Sequence, residues 1–226
     1  MAKSKILKEL ANNEISLEIA LSRLMIIASD IDDTELKNWA TKELNGYGQD
    51  DEYPPYRLIV SGRITFTGIR GNAYSHIKYE NSPLPVTALP TEYQEIITKP
   101  VPVRDSVANI AHIFENKQAL SIDLTFLSEI VYESQGIQCT SIRQNFDYVR
   151  YGDMLSAIRT RLINIFIELD KTLGNLDDLD VQTENIDLKG LNQTIFNIIY
   201  QDNSVELGDK NKINKSKLFG GFFNGT

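Results

Sequence analysis

The stretch Asp32-Asp33-Thr34-Glu35-Leu36-Lys37-Asn38-Trp39-Ala40-Thr41-Lys42-Glu43-Leu44-Asn45-Gly46-Tyr47, followed by Tyr53-Pro54-Pro55-Tyr56-Arg57, decides how the chain is read. Asp32 and Glu35 have the spacing of a capping box, in which the first side chain accepts from a free backbone N–H and the second reaches back. A helix from about Asp33 to Asn45 follows, turning Leu36, Trp39, Ala40 and Leu44 inward. Gly46 stands where a left-handed C-terminal cap is wanted. The two prolines then end any helix, since proline lacks the N–H and restricts the residue before it.

Upstream, Ile6, Leu7 and Leu10, then Leu17, Leu21, Leu24 and Ala28, recur at three- and four-residue steps, which predicts two further helices broken near Asn12-Asn13. Downstream, the period changes to two. Leu58 and Val60, Ile64 and Phe66, and Ile77 and Tyr79 alternate between Gly62, Gly68 and Gly71-Asn72, predicting a small antiparallel sheet or hairpin set that covers the helices. Pro83, Pro85, Pro90, Pro100 and Pro102 carry Leu84, Val86, Leu89, Ile96 and Ile97 among them, more apolar residues than a disordered linker holds, so this is an ordered crossing with a helical turn at Thr91–Ile97.

A helix capped by Asp105 or Ser106 follows, with Val107, Ile110, Ala111 and Phe114 on its face; Ser121 to Tyr132 is ambiguous between helix and strand. Tyr151 to Leu173 gives the strongest helical signal, with Leu155, Ile158, Leu162, Ile165, Phe166 and Leu169 in one stripe and Gly174 closing it. Residues 176–191 are acidic and linker-like. Thr194–Tyr200 and Ser204–Leu207 are short β-prone runs within a segment 192–226 that ends in a basic, aromatic tail. The expected class is α+β: a mainly helical domain over residues 1–175 with a small antiparallel sheet, plus a β-prone C-terminal tail.

The chain has 226 residues, with 23 Lys+Arg against 31 Asp+Glu and a formal net charge of −8, which argues against a general nucleic-acid wrapper. Its composition of 42% hydrophobic and 24% charged residues suits a globular core. The single cysteine, Cys139, has no disulfide partner within the chain, and the start leads into no apolar signal core. A cytoplasmic location is the expectation.

Candidate chemistry is sparse. His76 and His112 are the two histidines, and neither stands in a recognisable nucleophile–base motif. With one cysteine they cannot form a His/Cys zinc site, and Asp30, Asp32 and Asp33 lack the rest of a calcium loop, so helix capping explains them better. The glycines make neither a Walker loop nor GxGxxG. No cofactor and no metal are expected, and the catalytic residues, if there are any, are unknown. Arg57, Arg63, Arg70, Arg143, Arg150, Arg159 and Arg161 would form a phosphate groove only if the fold gathered them, and ion pairing with the excess carboxylates is the simpler role. Arg57 and Arg159 are retained as phosphate or ion-pair candidates; Arg159 lies at the margin of the packed stripe, where a buried pair could form. Lys210, Lys212, Lys215 and Lys217, with Phe219, Phe222 and Phe223, are the candidate interaction residues, because three phenylalanines are costly to leave in water.

Glu35-Leu36-x-x-Trp39 running into Glu43-Leu44-Asn45-Gly46-Tyr47, with Ala20-Leu21 and Ala28 on the preceding helix, resembles the amino-terminal region of the AbiTii family, a bacterial domain associated with abortive phage infection. Tyr53-Pro54-Pro55-Tyr56-Arg57 resembles the segment that follows it there. Val103-Arg104-Asp105-Ser106-Val107 is similar to the family's mid-domain helix start, and Met154–Leu162 to its last helix, the likeness covering roughly residues 1–175. Ala40 replaces an expected larger aliphatic. The resemblance implies antiphage defence and implies no catalytic residue.

Two functions follow. The favoured one is a non-enzymatic interaction, sensing or self-assembly module, whose partner is a phage or host protein or another copy. Residues 192–213 could add a strand, and the tail could dock on its own domain, a second copy or an acidic membrane face. The alternative is a toxin effector with a cryptic hydrolase site, such as a nuclease working through carboxylates and arginines. Trp39 is expected in the core, so Trp39→Ala should cost about 3 to 5 kcal/mol, measured as a fall in melting temperature. An unchanged melting temperature would place Trp39 on the surface.

Overall fold

A computed structural model describes residues 3–60, 62–177 and 187–201. Its fold is α+β: helices packed on one another form one layer, and an antiparallel sheet with its own covering helices forms the other.

The helical layer begins with α1 (Lys5–Ala11) and α2 (Leu17–Asp30), separated at Asn13, whose backbone is left-handed with φ 58°. Ser16 caps α2 by accepting from the Ile19 amide. In α3 (Thr34–Asn45) the cap is Asp33 and not Asp32: the buried Asp33 carboxylate accepts from Leu36 N at 3.0 Å. Asp32 instead takes φ 55°, a conformation aspartate tolerates, and so turns the chain into the cap. Gly46 ends the helix at φ 92°, and a Cβ there would lie 2.6 Å from the Arg104 carbonyl oxygen, so only glycine fits without a shift.

The prolines produce a single 3-10 turn, Pro55–Arg57, leading into β1 (Leu58–Ile59), which pairs antiparallel with β4 (Val101–Pro102). Here the alternation expected of Leu58 and Val60 is out of phase. Ile59 is the buried residue and Val60 is 52% exposed, because the strand is only two residues long and points Ile59 at the junction core.

The larger sheet runs in the order β3-β2-β6-β5, from β2 (Arg63–Gly71), β3 (His76–Pro83), β5 (Leu120–Asp123) and β6 (Ile137–Phe146), all antiparallel. One face, with Ile64, Phe66 and Ile142, is covered by α4 (Thr91–Thr98) and α6 (Ser128–Gln135). Ser121–Tyr132 is both things its sequence allowed, the end of β5 and then the start of α6. Strand β6, the middle of the sheet, carries no clean period in IQCTSIRQNF. A bulge leaves Thr140 between Cys139, opposite Gly68, and Ser141, opposite Thr67, so the alternation changes phase midway.

The proline-rich crossing is ordered and leads to α5 (Val107–Glu115), capped by Ser106. Helix α7 (Val149–Leu173) runs from the junction between the layers into the helical core. Ile158, Leu162, Ile165, Phe166 and Leu169 enter the helical core, while Tyr151 and Met154 meet Ile59, Val103, Ile110 and Phe146 in a separate junction cluster. The run Thr194–Tyr200 is not a strand but part of α8 (Leu188–Tyr200), whose Leu191, Ile195 and Ile199 repeat every four residues and bury against α7 and α3. Its β-branched residues favour strands in isolation, and burial of a helical stripe overrides that preference. Ser204–Leu207, the 208–211 turn and the lysine and phenylalanine tail lie outside the described residues. No helix among the described residues is long and apolar enough to cross a membrane.

The two ends of the helical layer are clasped by the buried Ser4. Its hydroxyl donates to Asp170 Oδ1 and accepts from Leu176 N at 3.0 Å, its amide donates to the same carboxylate, and Lys3 pairs with Oδ2 at 3.2 Å. Partial burial works to raise the Asp170 pKa, and the Ser4 and Lys3 contacts outweigh it, holding the group below its ordinary 3.8. A depressed carboxylate pKa contributes stability that is present above 3.8 and is lost as the pH falls through the folded value. Asp170→Asn should therefore lower the melting temperature at neutral pH and flatten its decline below pH 4, as followed by circular dichroism across a pH series. An unchanged acid limb would remove Asp170 from the pH response.

Candidate functional site

The residues most like the family's motif come from two separate segments and meet in one buried cluster. Trp39 and Glu43, one helical turn apart, share the inner face of α3, and Tyr47 follows just past the Gly46 cap. The 3-10 turn Pro55–Arg57 brings Tyr56 and Arg57 against them, with Pro54 and Pro55 fixing the approach.

Glu43 and Arg57 are both 0% exposed at their side chains. Arg57 Nη2 donates to Glu43 Oε2, and Nε lies 3.3 Å from Oε1. Oε1 also accepts from the hydroxyls of Tyr47 and Tyr56, each at 2.7 Å, and Trp39 Nε1 donates to the Tyr56 hydroxyl at 2.8 Å. The second guanidinium arm, Nη1, donates to the Asp105 carbonyl at 2.7 Å, and the Tyr47 ring lies 5.0 Å from the guanidinium carbon. Outside the cluster, the guanidinium of Arg161 covers the Tyr56 ring at 4.2 Å while its Nε donates to the Ile199 carbonyl, tying in α8.

Burial pushes the Tyr47 and Tyr56 hydroxyls far up, and the Glu43 charge pushes them further, so both stay protonated and act as donors. Burial would lower the Arg57 pKa, but the adjacent Glu43 carboxylate more than offsets this and raises it. Among the described residues no buried side-chain nitrogen or oxygen lacks a hydrogen-bond partner. The pair has no exposed surface on which a substrate could act. Its chemical capacity is to hold α3, the proline turn and the 103–106 segment in one register.

The other sequence candidates are dispersed. Arg159 is half-buried on α7 and donates to the Leu10 carbonyl at 3.0 Å, so it secures the end of α1, and among the described residues it has no ion-pair partner. An acid at that point is replaced by a helix-end carbonyl, which needs a donor equally. Arg143 stands on β6 opposite Thr65 and beside Asp123, while Arg150 pairs with Asp153 at 3.6 Å on the surface; the arginines are not gathered into one groove. His76 and His112 are both exposed and sit on different elements, β3 and α5. Cys139 is half-buried, and burial pushes its thiol pKa up. No group of three or more His, Cys, Asp or Glu among the described residues is placed to hold a metal ion. Lys210, Lys212, Lys215, Lys217, Phe219, Phe222 and Phe223 lie outside the described residues. Sequence reasoning gave Glu43, Tyr47 and Tyr56 no separate role; their signal was the carboxylate and arginine flanked by tyrosines within two short motifs.

An α+β domain in which a buried Glu–Arg–Tyr network binds α3, the proline turn and the 103–106 segment is the class the fold defines. The AbiTii family model matches residues 4–190, and the chain belongs to the AbiTii family. The match runs past residue 175 and takes in the start of α8. No curated protein and no solved structure matches the chain. Membership connects the protein with antiphage defence by abortive infection.

Removing one partner of a buried ion pair leaves an uncompensated charge, so Arg57→Met should destabilise the protein by about 3–5 kcal/mol in urea unfolding. Glu43→Leu combined with Arg57→Met should cost less than the two single changes added together, although the orphaned tyrosine hydroxyls keep the double variant below the parent. Strict additivity would show that the two side chains do not act as a pair.

Proposed function

We propose that this protein serves abortive infection as an interaction module that senses a partner or assembles with copies of itself through the free edge of its larger sheet. The observation that carries the reading is the contrast between the family motif and the hairpin. Trp39, Glu43, Tyr47 and Arg57 are consumed in the interior, whereas the β2–β3 hairpin exposes apolar side chains at an outer strand.

Strand β3 is one of the two outer strands of the sheet, so one row of its backbone donors and acceptors has no ladder partner among the described residues. Its first half, His76–Tyr79, is in regular register with Gly71–Gly68 before the irregularity near Asn81. Ile77 is 60% exposed, Ile69 on β2 is exposed, and Tyr74 at the turn is fully exposed. An extended peptide or a second β3 can pair with such an edge through main-chain hydrogen bonds, while the apolar side chains supply selectivity. The segment 192–213, read from sequence as the strand donor, cannot serve as such over 192–200, because those residues form α8.

Ile77→Lys together with Tyr74→Ser should abolish antiphage protection in a plaque assay, and should lower any oligomer mass in light scattering, while leaving the melting temperature within about 1 °C, since surface changes are usually worth under about 0.5 kcal/mol. Full protection by this variant would remove the β3 edge from the mechanism.

A further inference from the structure

Between the 3-10 turn and α7 lies an open groove of about 290 Å³, floored by Tyr56, Leu58, Val60, Met154 and Ala157. Its rim carries Arg150 and Asp153, which pair with each other and leave the rim without a net charge of either sign. Val60 projects half-exposed into solvent at its edge. Nothing among the described residues covers this apolar floor.

The chain leaves the described structure beside it. Helix α8 ends at Tyr200, the Gln201 amide closes the last turn on the Asn197 carbonyl, and the Ile199 carbonyl accepts from Arg161, the same side chain that stacks on the groove's Tyr56. One guanidinium thus separates the end of α8 from the groove wall. Two exposed acids lie near this exit: burial raises the pKa of the Tyr200 hydroxyl, and Glu52 and Glu35 raise it next, with Glu43 and Asp51 contributing less. Glu43 is neutralised by Arg57 and Asp51 by Lys42, which leaves Glu35 and Glu52 as the acids facing outward.

The segment that follows has the complementary chemistry. Lys210, Lys212, Lys215 and Lys217 have no acid after Asp209 to offset them, and Leu218, Phe219, Phe222 and Phe223 come directly behind. We infer that residues 210–223 dock on their own chain, with the phenylalanines in the groove of Tyr56, Leu58, Val60, Met154 and Ala157 and the lysines along Glu35 and Glu52. At up to roughly 3.3 Å per residue, the connection from Gln201 to Lys210 reaches about 30 Å when extended. A tether of this kind keeps the segment at an effective concentration on the order of mM, so the chain's own groove outcompetes a second copy at micromolar protein. The docked segment would occupy a surface distinct from the β3 edge, and the inference stands apart from the reading of that edge.

Zero-length carbodiimide coupling of the full chain tests this, since it joins a lysine amine only to a carboxylate in contact with it. Links from Lys210–Lys217 to Glu35 or Glu52 are expected within monomers, at equal yield when the protein is diluted a hundredfold. Phe219→Ser, Phe222→Ser and Phe223→Ser combined should cut that yield about tenfold or more, each lost ring removing a large apolar contact, and should speed amide exchange at Leu58–Val60 and Met154–Ala157. Links that form only between chains and vanish on dilution would overturn the inference in favour of a second copy. Loss of the within-chain links with co-pelleting on phosphatidylserine vesicles would overturn it in favour of a membrane. Unchanged yield and exchange in the triple variant would overturn it outright.

Discussion

The contact between Glu43 and Arg57 sets conditions that the rest of the structure must meet. Two opposite charges with no exposed surface are tolerable only when every remaining hydrogen-bonding position is filled. Two tyrosine hydroxyls and the Asp105 carbonyl fill them, and each belongs to a different joint. Tyr47 follows the Gly46 turn, Tyr56 belongs to the proline turn, and Asp105 immediately precedes the α5 cap. Neighbouring backbone bonds repeat the connection, from Val103 N to the Arg57 carbonyl and from Tyr47 N to the Arg104 carbonyl. An ion pair contributes little net stability when compared with apolar side chains of the same volume, but it penalises any other arrangement of these segments heavily. In this protein its physical contribution is therefore registry among α3, the proline turn and the 103–106 segment.

That registry explains how the molecule divides its labour. The helical core and the sheet core are separate apolar clusters with the six-residue junction of Ile59, Val103, Ile110, Phe146, Tyr151 and Met154 between them, and α7 runs from that junction into the helical core. With the interior network holding α3 to the proline turn, the outer surfaces are relieved of that task. The β3 edge is held out from the body by a nine-residue β2 strand, and the groove beside the end of α8 is open. Trp39, Glu43, Tyr47 and Arg57 are spent in the interior, whereas Tyr56, Met154 and Ala157, which also lie in the AbiTii-like segments, line the open groove, so scaffold and contact surface share part of the motif.

Much of the helical layer was legible in the sequence, because its signals are local. The three- and four-residue spacing of Leu17 to Ala28 and the stripe from Ile158 to Leu169 report burial directly, and Ser106, Gly46 and Gly174 punctuate the helices with a side chain or backbone freedom that helix ends require. Where local signals compete, the reading failed in identifiable ways. Asp32 and Asp33 are chemically equivalent caps, and only the positive φ of Asp32 assigns the role to its neighbour. Thr194–Tyr200 carries strand-forming residues whose helical stripe has value only because α7 and α3 offer it a surface.

The sequence by itself determined the α+β class, the helix punctuation and the family motif, since each depends on residues within a few positions of one another. Tertiary structure alone decided that Glu43 would find Arg57, that β6 would lie between β2 and β5, and that Arg159 would meet a carbonyl instead of a carboxylate. Those outcomes join segments far apart in the chain. Whether a charge is buried, and which partner it then requires, depends on the low-dielectric surroundings that distant segments create, and no spacing along a single segment encodes them.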